Sequence, residues 1–363
     1  MPSPRASFFI AATFAATFAA PAARAEAPRV VTTIKPVQSL AAAVMAGVGE
    51  PQMLLPPGAS PHDYALKPSD ARALDQADVV FWIGRPLESF FVKPVQSLTG
   101  KARVVALASA PDLVLLPART GGAWEAHDHD HEHEDEHDHD HDHDHDHAEA
   151  AKTPEHDHDH AEAHDHDAHD DHAHVAPLPA LSTDAAALPA EVDGHIWLDP
   201  RNGAAMARTI AAALAEADAA NADTYRANAE RVAADLSALE QELKAATAPA
   251  AGKPYIVFHD AYHYFEHRFG LTPAGSITVE PGRPVGAKRV SELRAKVGEL
   301  NATCVFAEPQ FEPRLVATIT EGTSARAGVL DPLGTDIPPG PGMYADLLRA
   351  LASDLTACMT GNG

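Results

Sequence analysis

The chain has 363 residues and a formal net charge of −25 at neutral pH. A chain of this length is too long for one small core, so two domains are expected. Acidic residues outnumber basic ones by 52 to 27 and no basic patch is present. The composition therefore gives no reason to expect binding to nucleic acid or to an anionic membrane surface.

Residues 1–25 are predicted to form a cleavable signal peptide. Arg5 precedes an apolar run (8–20), and Ala23-Arg24-Ala25 has the small-x-small form that signal peptidase recognises. The run is too short for a permanent anchor, and no later stretch reaches the roughly 20 apolar residues that a membrane helix needs. We expect a soluble mature protein in the periplasm, with no direct membrane insertion.

After the signal peptide, short apolar segments alternate with helical patterns. The run Arg29–Ile34 is typical of a buried strand and is followed by an alanine-rich helix (37–46). Such alternation predicts an α/β fold with a mostly parallel sheet flanked by helices. We assign residues 26–220 to an N-terminal α/β lobe that contains one long insertion (121–180).

The insertion is rich in histidine and acid. The stretch from His127 to His174 holds 18 of the chain's 23 histidines and 20 acidic residues. With so few apolar side chains it is expected to be disordered. Imidazole suits zinc, copper, nickel and iron, so we predict weak metal binding here, while a solvated acidic linker is the alternative. The candidate ligands are His127, His129, His131, His139, His141 and His143.

The longest helical pattern follows the N-terminal lobe. Apolar residues from Tyr225 to Leu243 fall at alternating steps of four and three, which places them on one helix face. A helix of about 24 residues would be roughly 36 Å long. We predict that it links the lobes (221–248) and that a second α/β lobe follows (249–363).

Three histidines outside the insertion share one kind of position. His62 and His259 follow predicted strands, and His195 comes directly after an Asp-Gly turn. Ligands of open parallel sheets bind beyond the carboxyl ends of the strands. We therefore predict that these three histidines hold one metal ion in the cleft between the lobes.

The motif HDAYH (259–263) has a partial likeness to the HExxH motif of zinc proteases. Asp260 is one methylene shorter than the glutamate that acts as the base there. Asp260 is also predicted to be the N-cap of a helix over 261–269, which would leave His259 outside the helix. The protease reading is therefore disfavoured. His263 and His267 are predicted to be surface residues or a weak secondary site.

The chain has two cysteines, Cys304 and Cys358. In an exported protein an isolated pair favours a disulfide, which here would join a strand of the second lobe to the C-terminal helix. A thiolate metal site is the alternative, but a separation of 54 positions matches none of the short ligand spacings of such sites.

Several motifs occur in a characteristic order, namely PPGASPHDYALKPSD, DGHIWLDP, VFHDAYHYFEHRFGL, FAEPQF and LDPLG. Together with the signal peptide and the acidic, histidine-rich insertion, they make the chain resemble the ZnuA-type zinc-uptake receptors, the periplasmic solute-binding components of metal ABC transporters. The resemblance implies two similar α/β lobes joined by one long rigid helix, with Zn²⁺ held between them by His62, His195 and His259.

The resemblance is less definite about the fourth ligand. Some relatives have a glutamate where this chain has Pro61, while Asp331 matches an aspartate that completes the site in others. Asp331 or a water molecule is therefore expected to be the fourth ligand. An imidazole at position 259, where manganese-specific relatives have an acid, favours zinc. Three acidic residues are candidates to orient the ligands: Asp63, Asp260 and Glu308.

The implied function is high-affinity capture of zinc and its delivery to an ABC permease in the inner membrane, which works with a cytoplasmic ATPase. The receptor is expected to be a monomer and not an enzyme. A zinc hydrolase would need a general base or an oxyanion loop, and neither is evident in the sequence. The stronger alternative is a periplasmic zinc buffer or chaperone that acts mainly through the insertion.

Overall fold

The computed structural model describes residues 26–120, 124, 191–278, 285–311 and 314–361. The predicted signal peptide and almost all of the predicted histidine-rich insertion lie outside these ranges. Within them, no helix combines the length and the apolar character that a membrane span requires.

The first lobe is built on a parallel four-stranded sheet with the strand order β2-β1-β3-β4. Its elements are β1 (Val30–Thr32), α1 (Lys35–Val44), β2 (Gln52–Met53), α2 (Pro68–Gln76), β3 (Val79–Trp82), α3 (Val92–Leu98) and β4 (Arg103–Ala106). Strands β1 and β3 are buried along their whole length. Burial on both faces explains why their sequences are nearly continuous apolar runs.

The second lobe repeats this arrangement. Its sheet is also parallel, in the order β6-β5-β7-β8, so the first strand of each lobe lies between the second and the third. The elements are β5 (Tyr255–His259), α6 (His263–Phe269), β6 (Pro273–Thr278), α7 (Ala287–Glu299), β7 (Cys304–Ala307), α8 (Arg314–Thr320) and β8 (Arg326–Val329). The predicted fold class, two similar α/β lobes, is confirmed.

Two long helices lie between the sheets in the sequence. Helix α4 (Pro200–Ala217) begins with proline, and the Asp199 side chain caps it by accepting a hydrogen bond from the Arg201 amide at 2.8 Å. Helix α5 (Ala222–Thr247) has 26 residues, or about 39 Å, and lies within the range predicted for the linking helix. Its buried face carries the predicted stripe of Tyr225, Ala229, Leu236, Leu239 and Leu243.

The last helix, α9 (Met343–Thr360), packs against α1 and α5 as well as against β8. The segment before α9 is also tied to the first lobe. Lys35 Nζ donates to the Gly334 carbonyl at 2.6 Å, and Ser39 Oγ donates to the Gly340 carbonyl at 2.7 Å. The end of the chain therefore joins the lobes a second time, in addition to α5.

One apolar core passes through both lobes. It includes the first sheet, α4, α5 and α9, and it reaches the face of the second sheet that carries Tyr255 and Val257. The opposite face of β5, with Ile256, belongs to a smaller core under α7 and α8. This division follows from the alternation of side chains along a strand.

The predicted disulfide is confirmed, because Cys304 in β7 is bonded to Cys358 in α9 with their Cα atoms 6.2 Å apart. Cys304 is fully buried. The bond therefore attaches the C-terminal helix to the second sheet, while the same helix packs on the first lobe.

The predicted start of the helix after β5 is wrong. Helix α6 begins at His263, with Tyr262 at the N-cap position, and not after Asp260. The Asp260 carboxylate is instead engaged by the Arg119 guanidinium, with Nη2 and Oδ1 at 2.5 Å. A long-range ion pair has therefore replaced the local cap that the sequence suggested.

Candidate metal site

Three histidines meet between the lobes at the carboxyl-terminal side of the strands. His62 lies in the loop between β2 and α2, and His195 directly precedes a short 3-10 helix (Ile196–Leu198). His259 is the last residue of β5 in the second lobe. The fold brings together the three residues that the sequence singled out.

The three imidazoles point their Nε2 atoms at one another. The Nε2 atom of His195 is 3.2 Å from that of His62 and 3.3 Å from that of His259. Two nitrogens bound to a tetrahedral zinc ion at 2.0–2.1 Å are roughly 3.3–3.4 Å apart. The observed separations therefore match two edges of such a site, and the ligand atoms of the three residues all lie within 4.8 Å of one another.

Two of the rings are fixed from behind by buried carboxylates. His195 Nδ1 donates to Asp193 Oδ1, and His259 Nδ1 donates to Glu308 Oε1, both at 2.7 Å. The Asp193 carboxylate also accepts the His195 backbone amide at 3.0 Å. A proton held on Nδ1 leaves the Nε2 lone pair free for a metal, so each carboxylate selects the tautomer that can coordinate.

Glu308 is one of the residues predicted to orient a ligand, whereas Asp193 was not. Asp193 precedes His195 by two positions with a bend at Gly194 between them, and its Oδ1 atom reaches both the amide and the ring of His195. The Asp-Gly pair in DGHIWLDP was interpreted only as a turn. The spacing of two residues between the acid and the histidine was the signal that could have identified it.

Two groups of the site, His62 and Asp193, have pKa values below their usual range. Burial, followed by the proximity of His195 and His259, holds the pKa of His62 well below its usual value. Burial alone would raise the pKa of Asp193, but interaction with His195 outweighs this effect and leaves its pKa below the usual range. A neutral His62 can bind zinc without first losing a proton, and an ionised Asp193 can accept the Nδ1 proton of His195.

A small cavity of about 10 Å³ adjoins the three rings, close to the space that one water molecule needs. Its mouth is formed by both lobes. In addition to the three histidines and Glu308, it is lined by Ser60, Pro61, Trp197, Gln310, Phe311, Pro332 and Leu333. The Trp197 ring centroid is 5.3 Å from that of His195, and the Trp197 indole N–H donates to the Pro332 carbonyl at 2.8 Å.

Asp331 follows β8 but is not grouped with the histidines in this state. Its carboxylate accepts hydrogen bonds from Gln310 Nε2 at 2.8 Å, from the Leu333 amide at 3.0 Å and from the Thr335 amide. Among the described residues, the set of ligand atoms within 4.8 Å of one another contains the three histidines alone. The Asp331 carboxylate is therefore held by two amides of its own loop and by Gln310, which follows β7.

The remaining candidates occupy different surroundings. Asp63 is exposed, and Asp260 is paired with Arg119. His267 is exposed, while His263 Nδ1 is 3.6 Å from Asp193 Oδ2, beyond hydrogen-bonding distance. The candidate ligands of the insertion, His127, His129, His131, His139, His141 and His143, lie outside the described residues.

The sequence is similar to known proteins over almost its whole length. It is 48% identical to the high-affinity zinc uptake system protein ZnuA of Brucella suis biovar 1 (strain 1330) over 354 residues, 98% of each chain. It is 39% identical to the protein of the same name from Paracoccus denitrificans (strain Pd 1222) over 356 residues, again 98% of each chain.

The fold is shared with a solved structure described as the crystal structure of ZnuA, with a TM-score of 0.64 at 23% identity. The match covers 92% of this chain and 99% of that one. A family model described as zinc-uptake complex component A, periplasmic, matches residues 30–358. The chain therefore belongs to the ZnuA family of periplasmic zinc-uptake components.

Proposed function

We propose that this protein captures Zn²⁺ with high affinity in the periplasm and delivers it to an ABC permease for import. The observation that carries the proposal is the convergence of three Nε2 atoms at tetrahedral-edge distances between the two lobes. Membership of the ZnuA family supports the same function, because its relatives are named high-affinity zinc uptake proteins. The family is that of the periplasmic solute-binding component of zinc uptake, so the protein is a binding protein and not an enzyme.

In this proposal His62, His195 and His259 are the zinc ligands. Zinc binds neutral imidazole, and the lowered pKa of His62 means that no proton has to be displaced from it near neutral pH. The Asp193 and Glu308 carboxylates hold the other two rings with Nε2 directed inward. The binding energy is therefore not spent on orienting two of the three ligands.

We propose Asp331 as the fourth ligand, with water as the alternative. The three N–H donors that hold its carboxylate would have to be released or shared when it turned towards zinc. A carboxylate offers about four lone-pair positions, so partial retention of these donors is compatible with coordination by one oxygen. This rearrangement would link metal binding to the loop after β8.

The same proposal extends to the location of the protein, to its partner and to its response to zinc. Residues 1–25 act as the signal peptide, and the mature receptor works as a monomer that docks on an inner-membrane zinc permease with its cytoplasmic ATPase. The lobes are joined by α5 and again through α9 and Lys35, so we propose that zinc produces local ordering around the cleft and not a wide hinge motion.

A chelator-competition titration tests the proposal. The mature protein lacking residues 121–180 is expected to bind one tight Zn²⁺ per chain, and His195→Ala is expected to abolish this binding. His267→Ala, which alters an exposed histidine, is the matched control and should bind as tightly as the parent. If the shortened protein has no tight site, the site between the lobes is refuted and the buffer alternative, based on the insertion, takes its place.

A further inference from the structure

Arg119 lies at the end of a first-lobe segment that is paired with the backbone leading to His195. The Ala118 amide donates to the Glu191 carbonyl at 2.7 Å, and the Asp193 amide donates to the Leu116 carbonyl at 2.9 Å. The stretch that carries Arg119 is therefore hydrogen-bonded to Asp193, the residue that holds the His195 ring.

The Arg119 guanidinium crosses to the second lobe and meets two acids there. Nη2 and Nε donate to the two Asp260 oxygens at 2.5 and 3.0 Å, and Nη2 also donates to Glu266 Oε2 at 2.5 Å. The Trp124 ring covers the guanidinium, with its centroid 4.0 Å from Cζ. Glu266 is buried, with 2% of its side chain exposed, and Arg119 is partly buried, with 18% exposed.

These two acids are connected to opposite ends of β5, the strand that carries His259. Asp260 directly follows His259, and Glu266 Oε1 accepts the Tyr255 hydroxyl at 2.9 Å at the beginning of β5. A rigid, bidentate guanidinium fixes an orientation that a flexible contact could not. One first-lobe side chain therefore contacts both the residue that follows β5 and the acid that accepts the hydroxyl of its first residue.

We propose that Arg119 is a positioning residue of the metal site, which sets the separation of His259 from His195 through Asp260 and Glu266. The inference rests on the proposed zinc site and extends it to a residue that touches no ligand. Without Arg119, two buried acids would lose their cation, and the end of β5 would be free to move away from Asp193. The 3.3 Å separation of the two Nε2 atoms would then no longer be fixed in advance.

A second ion pair provides the control. Arg268 of α6 donates to both oxygens of Asp199 at 2.6–3.1 Å, and these side chains are 12% and 1% exposed. It also joins the second lobe to the first, at the beginning of α4. It is bonded to neither Asp193 nor Asp260, so its loss should remove a buried interlobe ion pair without disturbing the ligands.

The test compares Arg119→Gln, Arg119→Lys and Arg268→Gln by zinc competition and by the visible absorption of bound Co²⁺. We expect Arg119→Gln to bind zinc about 10- to 100-fold more weakly, as is usual when support behind a ligand is lost, and to change the Co²⁺ spectrum. Arg119→Lys should recover part of the affinity. Arg268→Gln should keep the parental spectrum and an affinity within about threefold of the parent.

Equal zinc affinity in the parent and a folded Arg119→Gln would overturn this inference, and so would an equal loss in Arg268→Gln. If Arg119→Gln does not fold, Asp260→Asn decides, because it weakens one contact and keeps the Glu266 pair. An affinity about 10-fold lower is expected for it, and an unchanged affinity refutes the inference. Absence of tight zinc binding in the parent protein would instead refute the proposed function itself.

Discussion

Replacing Asp193 removes the support behind His195 while leaving all three proposed ligands in place. Its Oδ1 accepts the His195 Nδ1–H at 2.7 Å and the His195 amide at 3.0 Å, in a residue that is 6% exposed. In Asp193→Ala the ring loses both its fixed tautomer and its fixed orientation. In Asp193→Asn an acceptor of similar shape remains, but the negative charge is lost.

The expected loss of zinc affinity depends on which of these two hydrogen bonds changes in strength when zinc binds. The hydrogen bond from the His195 backbone amide does not involve the imidazole, so we expect it to contribute to folding and to cancel from the binding equilibrium. The hydrogen bond from His195 Nδ1 to Asp193 strengthens when zinc withdraws charge from the imidazole. We expect Asp193→Ala to weaken zinc binding by about 100-fold, or roughly 2.8 kcal/mol, and Asp193→Asn by about 10-fold, or roughly 1.4 kcal/mol.

Competition against a fluorescent zinc chelator at fixed pH and ionic strength measures both values. Asp218→Asn is the matched control, because Asp218 is a similarly buried acid that accepts from Tyr225 and Asn221 at the far end of α4. It should lower the free energy of unfolding and leave zinc affinity unchanged. A folded Asp193→Ala with an affinity within about threefold of the parent would refute the reasoning.

Three further predictions concern pH, the disulfide and the fourth ligand. His62 has a lowered pKa in the folded state, so the metal-free protein binds fewer protons than the unfolded chain. Its free energy of unfolding should therefore fall as pH drops below about 6.5, and urea titrations at several pH values should show a weaker dependence in His62→Gln. The Cys304→Ser/Cys358→Ser double variant should lose about 4 kcal/mol in urea unfolding, since the bond closes a loop with a sequence separation of 54; an unchanged free energy would contradict this. Asp331→Asn should weaken zinc binding by about 10-fold in the chelator assay, and an unchanged affinity would assign the fourth position to water.

The sequence was sufficient to predict the fold class and to predict that His62, His195 and His259 come together. The strands of parallel sheets are buried on both faces, so their apolar runs are conspicuous, and functional residues gather at their carboxyl ends. His259, directly after PYIVF, could therefore be identified as a candidate site residue without any knowledge of tertiary contacts. The Cys304–Cys358 disulfide could also be predicted, because the chain has two cysteines and its first residues predict export.

Adjacency in sequence was a poor guide to the residues that support the ligands. Asp260 directly follows His259, but it lies at a bend and its carboxylate is paired with Arg119. Asp193, two positions from its histidine, and Glu308, after the neighbouring strand β7, are the carboxylates that reach the rings. Arg119 belongs to no motif, and only the tertiary structure shows that it lies opposite Asp260.

The return of α9 to the first lobe determines how this chain can fold and be divided. A fragment ending after α5 would expose the surfaces of α1 and α5 that Leu348, Leu351 and their neighbours cover. A fragment beginning after α5 would carry that same helix with no surface to bury it. The predicted boundary at residue 248 therefore separates the two sheets in the sequence, but we do not expect it to separate two units that fold independently. We expect denaturant to unfold the two lobes in one cooperative transition, and we expect neither half to be stable on its own.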